Sequence, residues 1–161
     1  MDADQCQDSD FKAYRHGTHR TVTPATTLQR AHPHLRAMGI TRIANITGLD
    51  RLGLPVVTVC RPNARSLAVS QGKGLDLDSA KASGVMESVE AYHAEHIDAA
   101  LRCGSLSDLS DSLHLADVSA LPKSAGNRFH EDLRLFWIEG HNRMDGSALW
   151  LPLETVSADY T

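Results

Sequence analysis

The segment that most constrains the fold begins at Asp76 and continues to about residue 101, where the sequence predicts one long helix. Asp76 or Asp78 can cap its N-terminus, because a carboxylate oxygen accepts a hydrogen bond from a free backbone N–H there. Gly104 is expected to end the helix. Apolar side chains recur at helical spacing, and they are Leu77, Ala82, Val85, Met86, Val89, Tyr92 and Ile97. A face this broad must be buried against a sheet or other helices.

A shorter helix is predicted upstream of the long one. It opens at Thr23-Pro24, because proline is tolerated in the first turn of a helix. Pro33 should kink or divide this helix, since an interior proline lacks the N–H that a helix needs. Gly39 is a plausible stop. A short strand is then predicted around Ile43.

Two β-hairpins are predicted, one on each side of the long helix. The first joins the β-branched run "PVVTVC" (55–60) to "SLAVS" (66–70). The second covers residues 133–153 and turns at Asp145-Gly146, a dipeptide typical of hairpins. The resulting order of helix, strands, long helix and strands predicts the α+β class, with helices packed on antiparallel β-hairpins.

Length and charge narrow the function classes. The 161 residues suffice for one domain, and the net charge of −4 argues against a nucleic-acid-binding protein, which is usually basic. No apolar run approaches the ~20 residues of a membrane helix. The acidic start "MDADQCQDSDFK" lacks the features of a signal peptide, so a cytoplasmic protein is expected. Residues 1–14 are predicted to be a disordered tail.

A Gly-Lys-Gly tripeptide, residues 72–74, is predicted to form a turn before the long helix. Glycines allow close approach of a ligand to the backbone, and Lys73 offers a point charge for phosphate. The chain has neither the GxxxxGK[ST] pattern nor the GxGxxG pattern of nucleotide-binding loops. A mobile turn is therefore the competing interpretation of this tripeptide.

Two carboxylates, Glu87 and Glu90, lie three residues apart on the long helix, and Ser83 precedes them by one turn. The apolar residues around them predict that the pair is partly buried. Such a pair needs a cation, and Mg²⁺, which prefers oxygen ligands and usually arrives with phosphates, fits best. A solvated helix face is the alternative, and it is the commoner one for paired acids.

Other motifs indicate chemistry more weakly. Arg61 and Arg65 border the first hairpin turn and could bind a phosphate, or they could be surface residues. His93 and His96 in "HAEH" match no zinc-protease pattern, so a zinc hydrolase has little support, and no GxSxG elbow indicates a serine hydrolase. The three isolated cysteines imply neither a disulfide framework nor a structural zinc site.

Four segments taken together resemble the YcaO domain family: "GTHRTVTPATTLQR" (17–30), "GITRIANITGLDRLGLPVVTVCRPNARSLAVSQGKG" (39–74), "AKASGVMESVEAYHAE" (80–95) and "RFHEDLRLFWIEGHNRMDGSALWLPLETV" (128–156). The resemblance implies an ATP- and Mg²⁺-binding domain that phosphorylates the oxygen of a peptide backbone amide. A Cys, Ser or Thr side chain then adds to the carbon to give an azoline, or an external sulfur donor gives a thioamide.

The resemblance also implies roles for individual residues. Glu87 and Glu90 match the family's ExxE metal ligands, and Arg20, Thr27 and Ser83 match residues that approach the nucleotide. The Gly-Lys-Gly turn also matches the family at Gly72 to Gly74, but the resemblance assigns no phosphate contact to Lys73 and no catalytic residue. This chain departs from the family with Ala91 where arginine is frequent, and with Gly84-Val85 where Ala-Leu is common. A glycine inside a helix costs roughly 1 kcal/mol relative to alanine.

Length is the larger departure, because family domains are about twice as long or more. Residues 15–161 are therefore expected to be the N-terminal portion of a YcaO domain whose C-terminal half is absent, with little or no turnover alone. The expected partners are a precursor peptide, a TfuA-like or ThiF-like protein, and a separate chain carrying the missing half. The competing hypothesis is a truncated or split product that binds a partner or a precursor peptide without chemistry.

Overall fold

The structure is a computed structural model that describes residues 11–15 and 17–159. It is an α+β protein, as predicted. Its strands are β1 (Ala13–Arg15), β2 (Thr18–Arg20), β3 (Arg42–Asn45), β4 (Val56–Cys60), β5 (Val69–Lys73), β6 (Leu101–Gly104), β7 (Leu135–His141) and β8 (Ala148–Pro152). Its α-helices are α1 (Pro24–Ala31), α2 (Leu77–Glu95) and α3 (Leu106–Leu109). Every strand pairing is antiparallel.

The chain divides into two compact units, one running through His93 and the other comprising Ala94–Asp159. The first unit contains the hairpin β1–β2, the sheet β3-β4-β5 and helix α1. Most of the predicted disordered tail lies outside the described residues, and Ala13–Arg15 pair with β2. Helix α1 begins as predicted, because the Thr23 hydroxyl oxygen accepts a hydrogen bond from the N–H of Thr26.

Hydrophobic residues of the sheet and of α2 form the core of the first unit. Ile40, Val59 and Val85 are buried together, and Leu28 of α1 packs against them. Helix α2 also buries Ala80 and Ala82 completely. Two glycines allow this helix to lie very close to strand β5. A Cβ on Gly72 would overlap the Ala80 carbonyl oxygen and the Gly84 amide nitrogen, so only glycine fits there.

The same contact explains the unusual Gly84 in the helix interior. A Cβ on Gly84 would lie 3.0 Å from Cγ2 of Val59 and 3.1 Å from the amide nitrogen of Gly72. These distances are shorter than ordinary van der Waals contacts. The conformational cost of a helical glycine is therefore offset by close packing between helix and strand.

The second unit is built on the sheet β6-β7-β8, whose β7–β8 hairpin confirms the prediction for residues 133–153. Gly146 has φ of 76°, which suits the predicted turn. Trp137 is completely buried, and its indole N–H donates a 2.9 Å hydrogen bond to the carbonyl of Gly104. A capping box formed by Ser105 and Asp108 starts α3.

Three predictions differ from the structure. Strand β5 covers Val69–Lys73 rather than 66–70, so Gly72 and Lys73 belong to a strand and not to a turn. Helix α2 ends at Glu95, residues 96–100 form a loop, and Leu101 already belongs to β6; Gly104 lies in that strand and does not end a helix. Met86, predicted on the buried face, is 43% exposed.

No helix in the described part of the chain is both long enough and apolar enough to cross a lipid bilayer.

Candidate functional site

A cavity of about 590 Å³ lies in the first unit at one end of the sheet β3-β4-β5, and we call it the sheet-end cavity. The polar side chains in its lining are Thr18, Arg20, Asp50, Lys73, Ser79 and Ser83, and the apolar ones are Leu52, Leu54, Val56 and Leu75. Most of these residues come from strand β2, the loop after β3, the end of β5 and the start of α2. The cavity therefore joins a cationic, hydroxyl-rich wall to an apolar wall.

Arg20, predicted to approach a nucleotide, lies in this cavity on strand β2. Its Nε atom is buried, and it has no hydrogen-bond partner in the described part of the chain. Buried polar groups in native proteins are nearly always hydrogen-bonded, so an unpaired guanidinium nitrogen beside a cavity indicates a position for an acceptor. A phosphate oxygen has the charge and geometry that arginine recognises.

A second cavity of about 490 Å³ follows the free edge of strand β5, and we call it the strand-edge cavity. It is lined by Val69, Gln71, Lys73, Ser83 and Glu87. The Gln71 N–H lies 3.5 Å from the Glu87 carboxylate, at the long limit of a hydrogen bond. Lys73 and Ser83 line both cavities, so the two form one continuous polar surface from Arg20 to Glu87.

The structure brings together three of the five predicted site residues, Arg20, Ser83 and Glu87. Thr27 lines neither cavity, and its hydroxyl donates a 3.2 Å hydrogen bond to the carbonyl of Thr23 within α1. Glu90 lies one turn beyond Glu87 on α2 and also lies outside both linings.

The expectation that Glu87 and Glu90 are partly buried is wrong, because both side chains are exposed. Helix α2 packs its small residues against β5, and this contact turns the two glutamates away from the core. Exposure removes the desolvation cost that a buried carboxylate pair would carry. It also leaves the carboxylate oxygens accessible to a hydrated cation.

The start of α2 is fixed beside the sheet-end cavity. The backbone N–H and the hydroxyl of Ser79 donate hydrogen bonds of 2.7 and 3.0 Å to the two carboxylate oxygens of Asp76. The Gly74 N–H donates a 3.2 Å hydrogen bond to the carbonyl of Pro55. The positive end of the helix dipole therefore lies near the cavity in a fixed orientation, which favours anions there.

The residues present suit Mg²⁺ better than zinc. Within the described residues, no three His, Cys, Asp or Glu side chains converge as a metal site requires. His93 and His96 are exposed on or just after α2 and add no such cluster. Mg²⁺ commonly uses only one or two protein carboxylates and takes its other ligands from phosphates and water. Glu87 and Glu90 can provide that partial set.

Arg61 has a structural position rather than a place in the cavities. Its side chain is 3% exposed, and its Nε and Nη1 atoms donate hydrogen bonds to the carbonyls of Met38 and Ser88. The guanidinium also lies 5.5 Å from the ring centre of Tyr92. The interpretation of Arg61 as a phosphate-binding residue of the hairpin turn is therefore wrong.

Sequence reasoning missed the apolar wall of the sheet-end cavity. Leu52 and Leu75 are 78% and 64% exposed and come from two different loops. Loop leucines have no periodicity that marks a binding surface. For Leu52 and Leu54, the signal available in the sequence was the repeated leucine in the segment "GLDRLGLP" (48–55), which also contains two glycines.

Comparisons with known proteins identify the family to which the chain belongs. The sequence model of the family described as "YcaO cyclodehydratase, ATP- and Mg²⁺-binding" matches residues 71–161. An uncharacterized protein of Mycobacterium tuberculosis is 38% identical over 144 residues, covering 89% of this chain and 33% of the relative. A Rhizobium leguminosarum bv. trifolii protein encoded in the tfuA 3′ region is 34% identical over 142 residues, covering 88% and 34% respectively. The chain thus spans about a third of the length of these relatives.

Two solved structures share the fold at 21% identity. YcaO from Methanopyrus kandleri, bound with AMPPCP and Mg²⁺, superposes with a TM-score of 0.68 over 95% of this chain and 38% of that one. A heterocyclase in complex with substrate and cofactor gives a TM-score of 0.72 over 89% of this chain and 23% of that one. Together with the match of the family sequence model to more than half of the residues, these findings show that the chain belongs to the YcaO family of ATP- and Mg²⁺-binding cyclodehydratase-type domains.

Proposed function

We propose that this chain binds Mg²⁺-ATP across the sheet-end and strand-edge cavities and takes part in ATP-dependent activation of peptide backbone amides. The observation that carries the proposal is the buried, unpaired Nε of Arg20, which shares a cavity with Ser83. Ser83 in turn shares the adjoining cavity with the exposed carboxylate of Glu87. A cation site and an anion site are thus joined by one surface, as a metal–phosphate ligand requires.

In this proposal each residue has a distinct task. Glu87 and Glu90 hold Mg²⁺ from one helix face, and the guanidinium of Arg20 binds phosphate oxygens. The hydroxyls of Ser83 and Thr27 supply further hydrogen bonds, for which Thr27 must exchange its present bond to the carbonyl of Thr23. The exposed leucines of the sheet-end cavity offer an apolar surface for the nucleobase.

Activation of an amide explains why ATP is needed. An amide oxygen is a very poor leaving group, and ATP supplies the phosphoryl group that turns it into a phosphate ester. A Cys, Ser or Thr side chain of the peptide then adds to the carbon and the phosphate leaves, giving an azoline. An external sulfur donor in place of the side chain gives a thioamide. The cationic surface from Arg20 to Lys73 would stabilise the negative charge on the transferred group.

The proposed partners follow from the same chemistry and from the relatives. A precursor peptide is the substrate. The relative encoded in the tfuA 3′ region supports a TfuA-like partner, with which thioamide formation would be the reaction. Azoline formation with a ThiF-like partner is the alternative.

Isothermal titration calorimetry of the full chain with ATP, in the presence and absence of Mg²⁺, tests the nucleotide site. We expect Mg²⁺ to strengthen ATP binding to the wild type. In Glu87→Gln the increase in ATP affinity caused by Mg²⁺ should be about tenfold smaller, because the substitution removes one charged metal ligand. Glu139→Gln, at an exposed position of β7, is the matched control and should behave as the wild type. Equal Mg²⁺ dependence in wild type and Glu87→Gln would refute the assignment.

Mass spectrometry of a precursor peptide incubated with ATP, Mg²⁺ and the chain tests the reaction. Loss of water from the peptide indicates an azoline, and exchange of oxygen for sulfur in the presence of a TfuA-like protein and sulfide indicates a thioamide. We expect turnover only when a partner supplies the rest of the domain. ATP binding with no modification under any of these conditions would instead favour the non-catalytic, partner-binding product.

A further inference from the structure

Lys73 has a side chain to which neither the family resemblance nor the comparisons assign a role. It is the last residue of strand β5, its side chain is exposed, and it lines both cavities. Arg20 and Lys73 are the cationic residues in the lining of the sheet-end cavity, and Lys73 is the cationic residue in that of the strand-edge cavity. The lysine therefore lies between the guanidinium of Arg20 and the carboxylate of Glu87.

The backbone of Lys73 is held on both sides while its ammonium group has no partner in the part of the chain that the structure describes. Gly72 lies against the backbone of α2, and a Cβ on Gly74 would overlap Ser79 and Ala80. The Gly74 N–H also donates a hydrogen bond to the carbonyl of Pro55. A fixed strand end with an unpaired cation is pre-organised for an anionic ligand.

Charge complementarity favours a cation at this position if Mg²⁺-ATP binds as proposed. Two carboxylates, Glu87 and Glu90, neutralise the charge of one Mg²⁺. The charge of the triphosphate must then be met by side chains, and in the described linings these are Arg20 and Lys73. The carboxylate of Asp50 also lines the sheet-end cavity and adds a negative charge there. Its Oδ1 is engaged with the backbone, since it accepts hydrogen bonds from the N–H groups of Leu52 and Gly53.

We propose that Lys73 binds the terminal phosphoryl group of ATP and stabilises its charge during transfer. The inference rests on the proposed function. Metal ions in phosphoryl-transfer sites bridge the β- and γ-phosphates, so the terminal phosphate should lie next to the metal ligand Glu87. Lys73 shares the strand-edge cavity with Glu87, whereas Arg20 lines only the sheet-end cavity. The lysine would therefore bind the terminal phosphate, and the arginine would bind the phosphates nearer the nucleoside.

The test compares ATP with AMP, which lacks the terminal phosphates, by calorimetry on the full chain with Mg²⁺. Lys73→Gln, which removes the charge and leaves a polar side chain one atom shorter, should weaken ATP binding about tenfold, as expected for loss of one charged hydrogen bond, and change AMP binding by less than about twofold. Lys73→Arg should retain most of the ATP affinity. Lys81→Ala, on α2 and outside both cavity linings, is the matched control and should bind both nucleotides as the wild type does.

The outcomes separate this inference from the proposed function. Unchanged ATP binding by Lys73→Gln, or an equal loss for ATP and AMP, overturns the role of Lys73 while the nucleotide site stands. A wild-type chain that binds no Mg²⁺-ATP overturns the proposed function and the inference with it. Circular dichroism checks that each variant is folded. If Lys73→Gln is not folded, Lys73→Met replaces it in the comparison of ATP with AMP.

Discussion

Replacing Gly72 by alanine tests the contact that holds helix α2 on strand β5. The added Cβ would overlap the Ala80 carbonyl oxygen and the Gly84 amide nitrogen. Both obstacles are backbone atoms of a helix, which cannot yield by changing a rotamer. The helix must therefore shift away from the strand, and the packing of Val59 and Val85, which are completely buried, is loosened.

The size of the effect follows from two opposing terms. Overpacking a core costs typically about 1–3 kcal/mol, and a backbone obstacle places Gly72→Ala near the upper end of that range. Exchange of glycine for alanine in a strand recovers about 0.5–1 kcal/mol. The free energy of unfolding should thus fall by about 2 kcal/mol. Urea denaturation followed by circular dichroism measures this loss as a decrease of about 1 M in the midpoint.

Two other glycines provide controls. Gly84→Ala brings its Cβ to 3.0–3.3 Å from the methyl groups of Val57 and Val59 and the amide nitrogen of Gly72, contacts that are tight but do not overlap, and it gains about 1 kcal/mol of helix propensity. Its net effect should therefore be smaller than that of Gly72→Ala. Gly126 has no atom within 4 Å of an added Cβ, and Gly126→Ala should change the free energy of unfolding by less than about 0.5 kcal/mol. A Gly72→Ala variant as stable as Gly126→Ala would refute the close-packing argument.

Two further predictions concern single side chains. Arg61→Ala should destabilise the protein by about 3 kcal/mol in the same urea assay, because it removes two charge-assisted hydrogen bonds to buried carbonyls, whereas Arg36→Ala at an exposed position should cost less than about 0.5 kcal/mol. The hydrogen bonds of Asp108 to the side chain and the backbone of Ser105 lower its pKa from the usual 3.8. A lowered pKa in the folded state stabilises the protein above the unfolded value, and this contribution is lost as the pH falls through the folded value. Asp108→Asn should therefore lose less stability than the wild type between about pH 5 and pH 3, and an identical pH dependence of the urea midpoint would contradict the cap.

Local signals in the sequence were sufficient for much of the fold. Thr23 before Pro24 predicts the start of α1 because the cap and the fixed proline dihedral act within one turn. The β-branched run ending at Cys60 predicts β4, and Asp145-Gly146 predicts the β7–β8 turn, since each depends on adjacent residues. The same is true of the pairing of Ser83 with Glu87, which follows from helical spacing alone.

Tertiary contacts decided the remaining features. The end of α2 at Glu95 could not be read from its pattern, because the chain must turn through residues 96–100 to reach β6, whose pairing with β7 is a tertiary contact. The exposure of Glu87 depends on which face of α2 meets β5, and the position of Arg61 in the core depends on carbonyls 23 and 27 residues away in sequence.

The sequence by itself determined the α+β class, the family resemblance and the helix that carries the two carboxylates. These depend on local propensity, on periodicity and on the identity of residues along the chain. Only the tertiary structure decided that Gly72 and Lys73 lie in a strand, that Gly72 and Gly84 bring this strand and α2 together, and that Lys73 joins the cavity of Arg20 to that of Glu87. The physical reason is that steric exclusion between helix and strand backbones acts between residues distant in sequence, and no local pattern records it.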